Sequence, residues 1–368
     1  MAREEGMTVG LRGKVLGPIL SIGMVLGLGG GALADAQLDD MVKQAMAPRT
    51  AEESQLPTTG PAAQPGKKLV SIVCASAIEG CRAISEAQVE AAKALGWTTQ
   101  VIDGRGSVKG WDDAIQSAIQ TKPDVIALAA ILPSAVASSL ADAKAAGITV
   151  VCTQCGANPD EPGIDAADGD EVNGIIGDDL GKYIAQKAGG KASVLMWYYP
   201  EFGISKLRHD AAKEALAKYC DCKVQSIEVK ISEWNTSLPE RVNALLLQNP
   251  DISWIYSPAD ETAIDAANAI KAGGRSGQVH VAGGNGNLQA LDAIKTDPDY
   301  VATAAVSYAF SAWSSIDNAN RILAGEKPVK TRTAVRVIDA SNSSAVPAGQ
   351  YYGGDVDFRE HYKKLWGK

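Results

Sequence analysis

The sequence predicts an α/β protein built as two doubly wound parallel-sheet lobes in succession. Three observations carry this. From residue 67 onward, apolar runs of strand length alternate with segments of helical period, once before and once after an irregular stretch at 155–169. The 368 residues exceed one ordinary domain. The chain holds 37 Gly and only 5% aromatics, which suits close helix-on-sheet packing better than an aromatic-rich sandwich. With 46% hydrophobic and 21% charged residues, a packed core follows and global disorder is excluded.

The first array opens with 69–75, Leu-Val-Ser-Ile-Val-Cys-Ala, almost continuously apolar as a strand buried on both faces should be. Helix 79–95, strand 98–103, helix 111–121, strand 124–129, helix 136–146 and strand 148–153 follow. Gly96 and Gly147 sit just past two of these helices, where a left-handed cap is wanted. The second array reads as helix 171–187, strand 192–198, helix 204–219, strand 223–229, helix 237–247 and strand 252–257. Helix 261–272, strand 279–283, helix 288–296, strand 301–306 and helix 309–324 complete it, and the tail from Thr333 is mixed. Open parallel sheets bind ligands beyond the carboxyl ends of their strands. Two such sheets facing one another predict a ligand cleft between lobes.

The N-terminus reads as an export signal. Arg12 and Lys14 precede an apolar run at 15–28, and small residues then lead to Ala32-x-Ala34, the form of a signal-peptidase site. The run is short of the ~20 residues that span a bilayer. Residues 1–34 are therefore expected to be a signal peptide cleaved after about Ala34. Residues 35–46 suggest a short exposed helix, and 48–66, with Pro48, Pro57, Pro61 and Pro65, reads as linker. The span 35–66 is expected to be flexible, with folding starting at Lys67.

Several function classes fall away. The net charge of −8 argues against a nucleic-acid partner. His209, His280 and His361 are far apart in sequence, which disfavours a His-built metal site. Gly283-Gly284-Asn285-Gly286 lacks the spacing of a dinucleotide loop, and there is no nucleophile elbow or phosphate loop. No cofactor and no enzyme activity are expected, with His209 as the sole acid–base candidate. Six Cys in an exported chain point to disulfides, with 15 connectivities open. Cys74 and Cys81 flank one loop. Cys152 and Cys155 have C-x-x-C spacing but fall at a strand end, not at the helix start that redox chemistry uses. Cys220 and Cys222 either close a tight ring or stay reduced.

The segment Asp124-Val-Ile-Ala-Leu, the helix ending Ala143-Lys-Ala-Ala-Gly147 and Ile148-Thr-Val-Val151 resemble periplasmic sugar-binding proteins of ABC importers, of the ribose- and galactose-binding type. That core is shared with the lactose repressor. Glu171-Val-Asn-Gly174, the stretch Ile255 to Glu261 and Val281-Ala-Gly-Gly-Asn285-Gly286 extend the resemblance over about 67–330. It implies a hinge of three crossing strands, placed near Gly169, Ser307 and Arg332. Lobe one is then 67–169 plus 307–331, and lobe two 170–306 plus 332–368. It also implies a periplasmic monomer that closes on a small solute and delivers it to an ABC transporter permease. A signal peptide stands where a repressor has its DNA-binding helices.

Carried over position by position, the resemblance marks Ser76 and Glu79 after the first strand, Gln154 after the fourth, Arg208 on the first helix after strand 192–198, and Asn285. Only Arg208 keeps the family's residue type. Gln154 and Cys155 stand for Asp and Arg, Ala259 for Asn, Asn285 for Asp and Val306 for Gln. Aromatics at expected strand ends, Trp197, Tyr199 and Phe202, add apolar walls, with Tyr198 and Trp234 nearby. A sugar, deoxy sugar, polyol or cyclic alcohol is the expected ligand. A small aromatic solute, or a sensory role on a chemoreceptor or histidine kinase, is the alternative. Asp260 and Glu261 read as caps of the following helix.

Overall fold

The computed structural model describes residues 29–156 and 161–368. The expected signal segment lies outside the described residues up to 28. Helix α1 (Gly29–Met46) runs through the expected cleavage point. The first lobe is then strand β1 (Lys68–Val73), α2 (Glu79–Leu95), β2 (Thr98–Asp103), α3 (Val108–Gln120), β3 (Val125–Ala129), α4 (Ala137–Ala145), β4 (Thr149–Thr153) and β5 (Ala166–Asp168). The second lobe is α5 (Val172–Lys187), β6 (Ser193–Tyr198), α6 (Gly203–Tyr219), β7 (Lys223–Glu228), α7 (Leu238–Gln248) and β8 (Trp254–Tyr256). It continues through α8 (Asp260–Ala272), β9 (His280–Asn285), α9 (Leu288–Thr296) and β10 (Tyr300–Val306). Last come α10 (Tyr308–Leu323), β11 (Val335–Asp339) and α11 (Phe358–Leu365).

One sheet is ordered β2-β1-β3-β4-β5 and the other β11-β10-β9-β8-β6-β7. All pairs are parallel except β10 with β11. The alternation of side chains along β1 explains the two covered faces. Val70 and Ile72 point to a cluster with Trp111 and Ile115 of α3 and Leu140 of α4. Leu69 points to the opposite cluster, with Ala91 and Leu95 of α2 and Phe310 and Trp313 of α10. The second sheet is sandwiched the same way, by α7, α8 and α9 on one face and by α5 and α6 on the other.

The chain leaves the first sheet at Gly169, whose φ of 78° is left-handed. A Cβ there would lie 2.7 Å from Ser311 Oγ and 2.9 Å from Gln154 Cγ, so the turn needs glycine. Helix α10 returns to the first sheet, packing on α2 and β4, and β11 rejoins the second.

Four expectations change. Residues 35–66 are not a flexible linker. Leu38, Val42 and Ala45, at helical spacing, form a buried stripe of α1 packed on the second lobe. Residues beyond it are hydrogen-bonded to both lobes. Second, α11 belongs to lobe one, because Phe358, Tyr362 and Trp366 pack around Trp313; Trp366 stacks on it at 5.4 Å. Third, α3 begins at Val108 because Ser107 Oγ accepts from the Gly110 amide at 3.2 Å, a cap that brings Trp111 inside the helix. Fourth, the irregular stretch contains β5, whose Ala-Ala-Asp carries no strand preference and is formed by pairing with β4.

Candidate functional site

The carboxyl ends of both sheets face a cleft with about 510 Å³ of space not filled by atoms. Lobe one supplies Ile78, Cys81 and Ile84 from around the start of α2, Ala130 and Gln154 from strand ends, and Tyr308. Lobe two supplies Tyr199, Phe202, Arg208, Trp234, Glu261 and Asn285. Three of these, Ala130, Gln154 and Asn285, hold positive φ of 55°, 51° and 118° without being glycine. Such backbone costs of order 1–3 kcal/mol each and persists only where the surroundings impose it.

Arg208 is the centre of the polar wall. Helices α5 and α6 cross backbone to backbone, because a Cβ on Gly177 would sit 2.0 Å from the Arg208 carbonyl. This contact fixes α6 and the arginine's root. The guanidinium is buried and donates from Nε to Asn173 Oδ1 at 2.8 Å, and from Nη1 to Pro258 O at 2.8 Å and Asn285 Oδ1 at 2.6 Å. All three acceptors are neutral, and no carboxylate lies within ion-pairing distance among the described residues. Burial lowers its pKa, with nearby tyrosines and Asp260 offsetting part of this. A buried cation held this way has donors left for a ligand acceptor.

Around it the walls are aromatic and apolar. The Tyr199 and Trp234 rings lie 4.6 Å apart, and Phe202 is 6.3 Å from Trp234. The Tyr199 hydroxyl is tied to Thr262 and to Ser257 Oγ, which fixes the ring as a rigid surface. Gln154 donates from Nε2 to Ser311 Oγ at 3.2 Å and faces the cleft at the end of β4.

Of the residues marked from sequence, Gln154, Tyr199, Phe202, Arg208 and Asn285 meet in this cleft. Three do not line it. Trp197 is fully buried in the core of lobe two, donating to Thr262 Oγ1 at 3.1 Å, because its side chain points to the face of the sheet covered by α7, α8 and α9. Ser76 is exposed on the outside of its loop, where its amide donates to Asp103 Oδ1 at 3.0 Å. Glu79 spans the cleft instead of facing into it: Oε1 accepts from the Leu288 amide at the start of α9, at 2.9 Å. Tyr308 makes a second bridge, donating to Asn287 Oδ1 at 3.2 Å.

The capping role expected of Asp260 and Glu261 is not what the structure holds, since α8 has no side-chain cap. Asp260 accepts from Tyr300 at 2.6 Å, Thr303 at 2.8 Å and the Asn287 amide at 2.7 Å, bracing β10 and the α9 turn. Burial pushes its carboxyl up to about 7 despite those bonds. Sequence reasoning left Tyr308 unmarked and marked Glu261, in the first turn of α8, only as a cap. Glu261 lines the cleft, and both its oxygens are buried without a hydrogen bond. Burial raises its pKa, and the nearby Glu261 and Gly80 amides and Asn287 side chain relieve this only in part. His209 stands apart from the cleft, between Asp210 and Ser226 Oγ at 2.9 and 3.0 Å.

The cysteines pair as Cys74–Cys81, Cys152–Cys155 and Cys220–Cys222. The first two pairs flank the cleft's lobe-one wall, with Cys81 on its surface.

The family model described as periplasmic binding protein domain matches residues 71–327. The D-ribose/D-allose-binding protein of Pseudomonas aeruginosa is 34% identical over 93 residues, 25% of this chain and 29% of that protein. The match thus spans under a third of that relative. The ribose import binding protein of Bacillus subtilis is 27% identical over 245 residues, 66% of this chain and 77% of that protein. Among solved structures, an ABC transporter solute binding protein from Mycobacterium smegmatis with bound glycerol superposes with a TM-score of 0.69 at 24% identity. That likeness covers 77% of this chain and 98% of the other, and shows the fold. With two wound lobes, a cleft at their strand ends and a family match over most of its length, the chain belongs to the periplasmic binding proteins.

Proposed function

We propose that this protein is the soluble receptor of an ABC sugar importer. After export and cleavage near Ala34 it captures a small polyhydric ligand (a sugar, deoxy sugar, polyol or cyclic alcohol) as a monomer in the periplasm. It closes by hinge rotation and delivers the ligand to a membrane permease. The observation that carries this reading is Arg208: buried, held by three neutral acceptors, and facing the space between the lobes. Asn285 and Gln154 read hydroxyls beside it, Glu261 accepts from a ligand donor, and Tyr199, Phe202 and Trp234 stack on the apolar face of a ring. The names of the Pseudomonas and Bacillus relatives support a ribose-like ligand.

One observation favours a second reading. With no carboxylate partner for Arg208 among the described residues and a cluster of aromatic rings in the same wall, a small aromatic acid also fits the cleft.

The test is a thermal-shift and calorimetric panel on the mature protein, with D-ribose, D-allose, allitol, glycerol and benzoate. A specific ligand at 100 times its Kd adds about 2.7 kcal/mol of stability. A sugar or polyol hit supports the importer receptor. A shift by benzoate alone moves the assignment to the aromatic acid, and silence across the panel removes both.

A further inference from the structure

The family match begins at residue 71, and the cleft uses nothing before Ile78. The preceding ordered segment therefore needs its own account. We infer that residues 35–66 are a strap that ties the two lobes together behind the hinge and holds them in the closed arrangement.

The strap has an anchor on each lobe. On lobe two, Leu38, Val42 and Ala45 are buried against a cluster that includes Ile176, Leu180 and Ile184 of α5. Arg336 Nε donates to the Met46 carbonyl at 2.8 Å, Arg49 Nε to the Val335 carbonyl at 2.8 Å, and the Arg49 amide to Asp355 Oδ2 at 2.7 Å. The segment then passes the crossing to β11, where the Arg332 amide donates to the Ser54 carbonyl at 3.0 Å. On lobe one, Arg321 Nη2 donates to the Thr59 carbonyl at 2.6 Å and Trp97 Nε1 to the Gln64 carbonyl at 2.6 Å. The Gln64 amide donates to Asn320 Oδ1 at 2.9 Å, and the Ala63 amide to the Trp366 carbonyl at 3.1 Å.

These contacts limit what the hinge can do. Only residues 50–58 lie between the Arg49 and Thr59 anchors, and a chain spans at most about 3.3–3.6 Å per residue. The prolines at 57, 61 and 65 stiffen the lobe-one part. Within residues 50–58 the Ser54 amide donates to the Thr50 carbonyl at 3.2 Å and the Gln55 amide to the Glu52 carbonyl at 3.1 Å. A rotation that separates the anchors breaks this turn or releases an anchor, whereas the closed arrangement, with Glu79 on Leu288 and Tyr308 on Asn287, keeps all of these bonds. The strap is also releasable. An open, partly polar pocket lies beneath it, lined by Arg49, Glu53, Asp179 and Arg332, so it is fastened at points and not embedded in the core. Every docking residue lies after Ala34, so cleavage at the expected point leaves the strap whole.

The experiment measures lobe separation without any ligand. Ser76→Cys and Glu201→Cys place spin labels on exposed positions beside the cleft, one on each lobe, in the chain from residue 35 onward. Distances are read in the parent, in Leu38→Asp/Val42→Asp and in Arg49→Ala. Arg49→Ala removes one fastening with little risk to folding. The expected result is one short-distance population in the parent, a shift to longer distances in Arg49→Ala, and a larger shift in the double variant. Distributions that coincide in all three proteins would overturn the strap.

The effect on affinity rests on the proposed solute binding, and is read with D-ribose by calorimetry: about tenfold weaker in the double variant, the equivalent of losing one or two hydrogen bonds. If the parent binds no sugar, the functional reading fails while the distances still decide the strap.

Discussion

The two walls of the cleft are built on different principles. Lobe two presents Arg208, fixed by buried hydrogen bonds, Asn285, at a strained strand end, and Glu261, whose carboxylate is buried without a hydrogen bond. Lobe one presents mainly Ile78, Cys81, Ile84 and Ala130, with Gln154 as its polar group. On the proposed reading, one lobe reads the ligand and the other covers it. The asymmetry would then put selectivity and closure on separate pieces of chain.

The largest expected effect follows from the reading side. Arg208→Ala removes charge-assisted bonds worth roughly 1.5–3 kcal/mol each, so affinity for the cognate ligand should fall at least about 100-fold by calorimetry. Ile78→Ala on the covering side should weaken binding about tenfold or less, as lost apolar burial. Equal losses from the two variants would erase the distinction between walls.

Next comes Glu261→Gln. Without ligand, this variant relieves a buried unpartnered carboxylate, so its midpoint should rise by about 2–4 °C per kcal/mol recovered. Its affinity should drop at the same time. A lower midpoint would mean that Glu261 serves the fold and not the ligand.

Each lobe also hides one carboxyl pushed up to about 7 by burial: Asp168 of lobe one, bonded to Ser314 and Asn318, and Asp260 of lobe two. A folded pKa above the unfolded value means that stability is complete below about pH 4 and is lost as pH climbs through about 7. Carboxylates held low, such as Glu90 with Arg359, act in a separate window below pH ~4.5. The unliganded midpoint should therefore decline from pH 5 to 8. Asp168→Asn and Asp260→Asn should each flatten the decline, and an unchanged slope in both would reject the account.

The smallest effect separates the disulfides. Cys74→Ser/Cys81→Ser loosens the covering wall and should weaken binding severalfold, whereas Cys220→Ser/Cys222→Ser, remote from the cleft, should leave affinity unchanged. All three pairs close short loops, of separation 7, 3 and 2, so none constrains the unfolded chain much. Isothermal titration of both variants checks the contrast.

The sheet-and-helix rhythm was legible because buried parallel strands must be apolar and their helices amphipathic; α2, β2 and α9 match their sequence-based bounds residue for residue. What was not legible depended on partners distant in sequence. β5 is a strand only beside β4, and α11 joins lobe one only because Trp313 receives its aromatic face. Residues 48–66 read as linker because prolines and small polar residues form no periodic pattern. Their order comes from carbonyls met by Arg321, Trp97 and Arg332. At the site, the family resemblance marked Gln154 and Asn285 at strand ends and Arg208 on α6, while the direction of a side chain did not follow from position. Trp197 turned into the core for that reason, and Glu261 turned into the cleft.

The contact between Gly177 and the Arg208 carbonyl limits where the arginine can be carried. With α5 and α6 touching along their backbones, α6 cannot slide or tilt to carry its arginine to a new place without opening that seam. A change of ligand at this cleft is then made by exchanging side chains at the strand ends around a cation whose backbone root stays in place. The departures already present at Gln154, Ala259 and Asn285 have that form.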